Sequence, residues 1–504
     1  MIISPLMVRN NLLRSIALLF LLFIGLQGLS AVEFPKKKQE MRAVWLTTIY
    51  GLDWPKKAAY NAQDEQRQRQ DLVRILDQLK EAGINTVFLQ VRGRGTLIYP
   101  SNLEPMSRDF LANAEERDLG YDPLAFAIEE CKKRGMALHV WYVVMPLGND
   151  KYVKNLPRTV YARKHRQHCL LYQGQWYMNP ARKETSEHMR KLVKELLDNY
   201  DVAGVHLDYI RYPDNSRKFP DDNMFKARGR GMSLDDWRRQ NIETIVGEIK
   251  AEIDKHEKNV LLSAAVIGAY REIPSLSKRI GWTAYSDVYQ DPPSWGKKGF
   301  IDFIIPMLYY KEERFAPYVK DWLAVMDDTP IVIGLGAYRV LHNEGNWSPR
   351  VVLDQMDEIE SNPYIAGVVL FRAEQVLEKR LGLYTGVTNR WGKSIRLPYI
   401  SGVSGRFSNQ TARNLSIEKK PDGLHVSWEG EGEYYSLYVT KDCDEPDLEK
   451  DLYTITRARE ILIPWSDIDT ESTVYIKVGS YFTNDSFELL EPVGALYYNS
   501  EYEK

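Results

Sequence analysis

The chain has 504 residues, more than one hydrophobic core usually organises, so a large domain and at least one smaller one are expected. Its 67 basic and 69 acidic residues leave a formal net charge of -2, which excludes the basic field that collects nucleic-acid phosphates. The 44% hydrophobic and 27% charged shares are those of an ordinary globular protein, and 31 Tyr and 12 Trp supply flat amphipathic faces that suit sugar rings.

At the N-terminus, Arg9 and Arg14 precede an apolar run from Ile16 to Leu26, followed by Gly28-Leu29-Ser30 and Ala31. A charged start, a short apolar core and small residues at the end predict a signal peptide over residues 1–30, cleaved after Ser30. A single membrane anchor is the alternative, but the run is short for a span of ~20 residues. No Cys follows it for lipid attachment, and no later segment reads as a span. The mature chain is therefore expected to be secreted or periplasmic, with no stable membrane span.

After Lys36-Lys37-Lys38 the sequence alternates short β-rich runs with amphipathic helical stretches, the signature of parallel βα units. The β runs are Arg42–Thr47, Thr86–Val91, Ala137–Trp141, Gly204–Asp208, Leu261–Val266, Phe303–Met307, Ile331–Leu335 and Gly367–Phe371. Helical patterns cover Gln66–Ala82, Pro123–Arg134, Ser186–Asn199, Leu234–Lys255 and Arg350–Ser361, the first two stopped by Gly83 and Gly135. This order predicts an α/β fold, a (β/α)8 TIM barrel over residues 39–395. An open doubly wound sheet is the alternative, and no Gly-rich phosphate loop follows the first strand to support it.

Helical patterns vanish near Leu397, and alternating runs follow at Leu424–Trp428, Tyr434–Val439, Glu460–Pro464 and Thr473–Gly479. They predict a small all-β sandwich of fibronectin type III character over residues 396–504, with Trp428 in its core. Cys131, Cys169 and Cys443 match neither a disulfide framework nor a metal site, so no chemistry is assigned to them.

A TIM barrel keeps its chemistry where strands end at the C-terminal face. Asp208 ends the fourth run there, with Arg211 close behind, and a carboxylate so placed can serve as acid, base or nucleophile. His206 alternates with Asp208 and His139 with Trp141, so all four point into the barrel. Asp291 and Glu374 rank first as a second carboxylate, ahead of Glu104, Asp287, Glu312 and Glu313. A metal site built from His139, His206 and Asp208 has no compact ligand spacing behind it, and neither a metal nor another cofactor is expected.

Several stretches in this order resemble the bacterial glycosyl hydrolase-like 10 family over Met41 to Gly392. They include Met41-Arg42-Ala43-Val44-Trp45-Leu46-Thr47-Thr48, Asp53-Trp54-Pro55, Gln90-Val91-Arg92, His139-Val140-Trp141, Met178-Asn179-Pro180 and Gly204-Val205-His206-Leu207-Asp208-Tyr209-Ile210-Arg211-Tyr212-Pro213. Asp302 to Tyr310 completes the series. The resemblance implies a TIM-barrel glycosidase acting on a polysaccharide, with peptidoglycan glycan strands as the first candidate. It marks Asp208 as the leading catalytic acid and puts Gln90, Arg92, His139, Asn179, His206, Asp291 and Tyr309 around the cleft. Arg92 and Arg211 are expected to hold substrate or tune the carboxylate, and Trp141, Tyr309 and Tyr310 to form sugar platforms. The sequence departs from the family where Tyr209 replaces a second acid and where Ser263-Ala264-Ala265 lacks the usual Ser-Pro. Two rivals remain: a carbohydrate-binding protein without turnover, and a metal-dependent hydrolase or deacetylase.

Overall fold

The computed structural model describes residues 40–392 and 412–498, apart from 115, 257–259, 431, 433, 442–450, 470–471 and 482–494. The expected signal peptide and Cys443 lie outside the described residues.

Eight parallel strands close into a barrel: β1 (Met41–Leu46), β2 (Thr86–Gly93), β3 (Ala137–Val143), β4 (Gly204–Asp208), β5 (Leu261–Ile267), β6 (Phe303–Met307), β7 (Ile331–Leu335) and β8 (Ile365–Leu370). Closure runs through β1, which pairs with β8 on one side and β2 on the other. An open doubly wound sheet is thereby excluded. Because helices cover the outside and side chains fill the lumen, the strands are buried on both faces, which explains their near-continuous apolar runs. Trp45, Phe88, Phe303, Ile305, Val332 and Val369 are among the side chains filling the lumen.

The helices α1 (Ala62–Glu81), α2 (Pro123–Lys133), α3 (Lys183–Asn199), α4 (Leu234–Ile253), α5 (Pro292–Lys297), α6 (Glu312–Val325), α7 (Pro349–Glu360) and α8 (Leu383–Trp391) follow the strands in turn. Their starts are written in the sequence. Asn61 caps α1, Asp122 caps α2 ahead of Pro123, Ser233 caps α4 and Ser348 caps α7 ahead of Pro349, each side chain accepting from an otherwise orphaned backbone N–H.

The sequence pattern misses a three-stranded antiparallel sheet built after β3 from Pro146–Asn149, Cys169–Tyr172 and Gln175–Met178. These strands are too short and too mixed in polarity to show a period.

Beyond the barrel, seven strands among the described residues form two antiparallel sheets: β9 (Arg413–Lys420), β10 (Gly423–Glu429) and β13 (Glu460–Pro464) in one, and β12 (Leu452–Thr456), β11 (Tyr434–Thr440), β14 (Val474–Tyr481) and β15 (Ala495–Tyr498) in the other. Trp428, Leu437, Ile463, Ile476 and Val478 share one core between them. This unit meets the floor of the barrel, where Tyr434 and Ile455 pack on Ala137 and Ala203 at the beginnings of β3 and β4. Arg457 adds an ion pair to Asp201 at 3.3 Å.

Candidate active site

Asp208 is the last residue of β4, so its carboxyl stands at the C-terminal mouth of the barrel while remaining only 7% exposed. Trp141 of β3 donates its indole N–H to Oδ2 at 3.1 Å, and the Tyr209 backbone N–H donates to Oδ1 at 2.7 Å. Burial raises the carboxyl to about 6, against the opposing pull of the Arg211 cation and these two hydrogen bonds, which favour the ionised form. A carboxyl balanced near 6 is suited to giving up and recovering a proton close to neutral pH.

Arg211 is itself held in place. Its guanidinium lies 4.6 Å from the Tyr209 ring and 5.2 Å from the Trp282 ring, and it is paired with Asp214 at 2.7 Å. The sequence offered no sign of Trp282, which lies well beyond the end of β5; Asp214 was legible only as an acid soon after β4. Thus Asp208 and Asp214 share one cation.

Aromatic rings form the neighbouring wall. Tyr309, just beyond β6, stacks on Phe371 at 5.9 Å with 24° between planes and meets Tyr338 edge-on at 5.6 Å. Trp141 reaches the same Phe371 at 6.5 Å. Burial drives the Tyr309 phenol far above its ordinary value, helped by Tyr338 and Asp208, so it is a neutral hydroxyl within the field of the carboxylate. Tyr338 and Phe371 follow β7 and β8 directly and were findable by inspecting every strand end.

Other predicted site residues lie elsewhere. His206 is fully buried: the Trp45 indole donates to its Nε2 at 3.1 Å, which leaves the proton on Nδ1, 2.9 Å from Ser263 Oγ. Burial and the nearby His139 push it well below the usual histidine range, so it is a neutral, satisfied group of the lumen. His139 sits a layer deeper between Phe88 and Phe303, and burial holds it down to about 3. The metal set of His139, His206 and Asp208 does not converge, and among the described residues no group of three or more His, Cys, Asp or Glu could hold a metal.

Arg92 does not face a ligand. It is fully buried in a bidentate pair with Glu104, at 2.7 and 2.6 Å, and His188 adds a third contact to Glu104 at 2.9 Å. Gln90 braces the loop after β1, its Oε1 accepting from the Thr48 and Ile49 N–H groups at 3.0 and 3.2 Å. Asn179 is a buried turn residue whose Oδ1 accepts from Ala181 N at 3.0 Å. Tyr310 packs outward on Tyr318 at 5.5 Å, because neighbours along an extended chain point to opposite sides.

The two carboxylates ranked as catalytic partners are engaged away from Asp208. Asp291 starts α5, accepts from the Tyr270 hydroxyl at 3.0 Å, and has Arg239 and Glu243 of α4 as its charged neighbours. Glu374 pairs with Lys56 and with Arg372 at 2.8 Å, beside Asp71, Arg74 and Gln78 of α1 on the outside of the barrel.

Residues 40–346 match the family model described as Glycosyl hydrolase-like 10. The chain belongs to this family. Similar relatives are glycosyl hydrolase YngK of Bacillus subtilis (strain 168), 28% identical over 79% of this chain and 82% of that one, and glycosyl hydrolase DigH of Escherichia coli (strain K12), 29% identical over 71% and 88%. Among solved structures, the PgaB (BpsB) glycoside hydrolase domain from Bordetella bronchiseptica aligns with 68% of this chain and 98% of its own at 14% identity and a TM-score of 0.44. Membership of a glycosyl hydrolase-like family points to a carbohydrate substrate.

Proposed function

We propose that the chain is an extracytoplasmic glycoside hydrolase in which Asp208 is the general acid. The observation that carries the reading is a buried carboxyl held at about 6 at the end of β4, beside Trp141 and Tyr309. Protonated Asp208 delivers its proton to the glycosidic oxygen as the bond to the anomeric carbon breaks. The carboxylate left behind is stabilised by the Trp141 and Tyr209 N–H groups and by Arg211. Water then adds its oxygen to the anomeric carbon and gives up a proton to the Asp208 carboxylate, which regenerates the acid. On an N-acetylated sugar the acetamido oxygen can attack first, which removes the need for a second enzymic carboxylate.

The substrate we assign is a polysaccharide, with peptidoglycan glycan strands first among those to test. Residues 1–30 act as the export signal and leave a secreted or periplasmic protein. Residues 39–395 are the catalytic domain, and residues 396–504 a fibronectin type III-like sandwich, a reading supported by the β9-β10-β13 and β12-β11-β14-β15 strand orders.

Soluble saccharide release from purified peptidoglycan, with and without stem peptides, tests the proposal against an Asp208→Asn variant of unchanged fold. Release by the native protein alone supports it. Equal release by both removes Asp208 from the mechanism, and binding without product from either marks a carbohydrate-binding protein.

A further inference from the structure

Two tyrosines at the mouth of the barrel are built to one plan. Tyr50 lies in the loop after β1 and is 65% exposed; Tyr209 follows β4 and is 42% exposed. Both occupy the left-handed backbone region, at φ 59° and 50°, which is unfavourable for any residue with a bulky side chain. In each case a guanidinium covers one side of the ring: Arg94 at 4.3 Å from Tyr50, Arg211 at 4.6 Å from Tyr209. A second aromatic ring backs each arginine, Tyr152 at 4.3 Å and Trp282 at 5.2 Å, and an acid fixes it, Asp109 and Asp214 respectively. Arg94 too adopts a left-handed backbone, at φ 56°.

Nothing in packing requires an exposed ring in a strained loop. Burying such a ring would stabilise the fold more than leaving it in water. What the stack achieves is a ring fixed before any ligand arrives, so that binding does not have to immobilise it. Among the described residues, Tyr60 and Tyr364 are at least as exposed, at 67% and 79%, yet carry no stacked arginine. The same stack also occurs buried, where Arg238, fixed by Asp221, lies between Tyr212 and a left-handed Tyr289, so what sets Tyr50 and Tyr209 apart is that their stacked rings are exposed.

We propose that Tyr50 is a second saccharide platform, remote from the reacting bond, and that the chain binds a linear polymer of several sugars. The polymer runs across the mouth from the β1–β2 loops to Tyr209 beside Asp208. The inference rests on the glycosidase reading above and adds to it a preference for long chains. Tyr209 meets the sugar next to the bond that breaks, whereas Tyr50 meets one that short oligosaccharides cannot reach.

The test compares wild type, Tyr50→Ala and Tyr50→Trp on long peptidoglycan glycan strands and on the tetrasaccharide cut from them. Tyr50→Ala is expected to lower kcat/KM on long strands about tenfold, through KM, and to leave the tetrasaccharide within about twofold, with Tyr50→Trp restoring the long-strand value. Unchanged kinetics on long strands, or equal losses on both lengths, overturn the platform while the assignment of Asp208 stands. Should wild type release nothing from these strands, retardation in native gels containing poly-N-acetylglucosamine, glucan or mannan decides. Retardation lost in Tyr50→Ala supports the platform; retardation equal in both, or absent for wild type in every gel, overturns it.

Discussion

Trp141 donates its indole N–H to Asp208 Oδ2 at 3.1 Å from the adjacent strand, so the residue that walls the cleft also tunes the acid. A hydrogen bond to the charged form lowers a carboxyl, and removing it must raise one. Trp141→Phe keeps the aromatic wall and loses the donor. The alkaline limb of its pH–rate profile is expected to move upward by roughly half a unit to one unit. A limb that stays in place would mean the indole contributes packing alone.

Asp208→Asn is expected to abolish turnover, by at least about a hundredfold, and also to stabilise the fold at neutral pH. The folded carboxyl sits at about 6 against an ordinary value of 3.8, so the folded protein holds a proton that the unfolded chain releases between those values. Stability is therefore lost as pH rises from about 4 to 6, by about 2–3 kcal/mol at most. The amide variant avoids that loss. Urea unfolding of both proteins should show the variant ahead at pH 7.5 and level with wild type near pH 3.5; a constant gap would refute the linkage.

Because Asp291 and Glu374 are committed to Tyr270 and to Lys56 and Arg372, neither is expected to take part in turnover. Asp291→Asn and Glu374→Gln should each retain activity within about threefold of wild type in saccharide release. A hundredfold loss in either would identify the missing carboxylate.

Arg92, Glu104 and His188 form a buried charge cluster that carries stability. Burial alone would raise Glu104, but Arg92 and His188 outweigh it and hold the carboxyl down to about 2. Its contribution is thus present above about 4.5 and lost as pH falls from there toward 2. Arg92→Ala leaves Glu104 buried without its main partner and is expected to cost about 3–5 kcal/mol in urea unfolding at pH 7. A cost under about 1 kcal/mol would show that His188 alone compensates.

Gly135 couples the barrel to the all-β unit. It lies at φ 63°, and an added Cβ would sit 1.8 Å from the Ile455 carbonyl oxygen. Gly231 offers the control, with φ 82° and open space around it. Gly231→Ala should cost only the left-handed strain of about 1–2 kcal/mol, and Gly135→Ala clearly more, as the two units are forced apart. Equal losses would argue that the contact yields without cost.

The barrel was legible because strands buried on both faces read as short apolar runs. The bounds of β4, β6 and β7 coincide with the predicted ones, and in β7 the flanking Pro330 and Gly336 mark both ends. β9 escaped because its side chains are largely exposed and its apolar alternation is limited to Leu415 and Ile417. At the site, the strand-end rule pointed to Asp208, Trp141 and Tyr309, which the structure brings together. It failed where tertiary contacts decide: Arg92 looked like a ligand-binding cation but folds inward onto Glu104, and Trp282 reaches Arg211 from a distant loop. Tyr310 was an avoidable error, because alternation along an extended chain lets only one of two adjacent tyrosines face the cleft.

The cation–aromatic stacks also constrain how such a protein can change. Tyr50, Arg94 and Tyr152 come from the loops after β1, β2 and β3; Arg211 and Trp282 join those after β4 and β5; Tyr309, Tyr338 and Phe371 join those after β6, β7 and β8. No loop in these groups owns its stack. Transplanting a single one from a relative would strand an arginine or a ring without its neighbour, so new specificity must be inherited in blocks of two or three loops at a time.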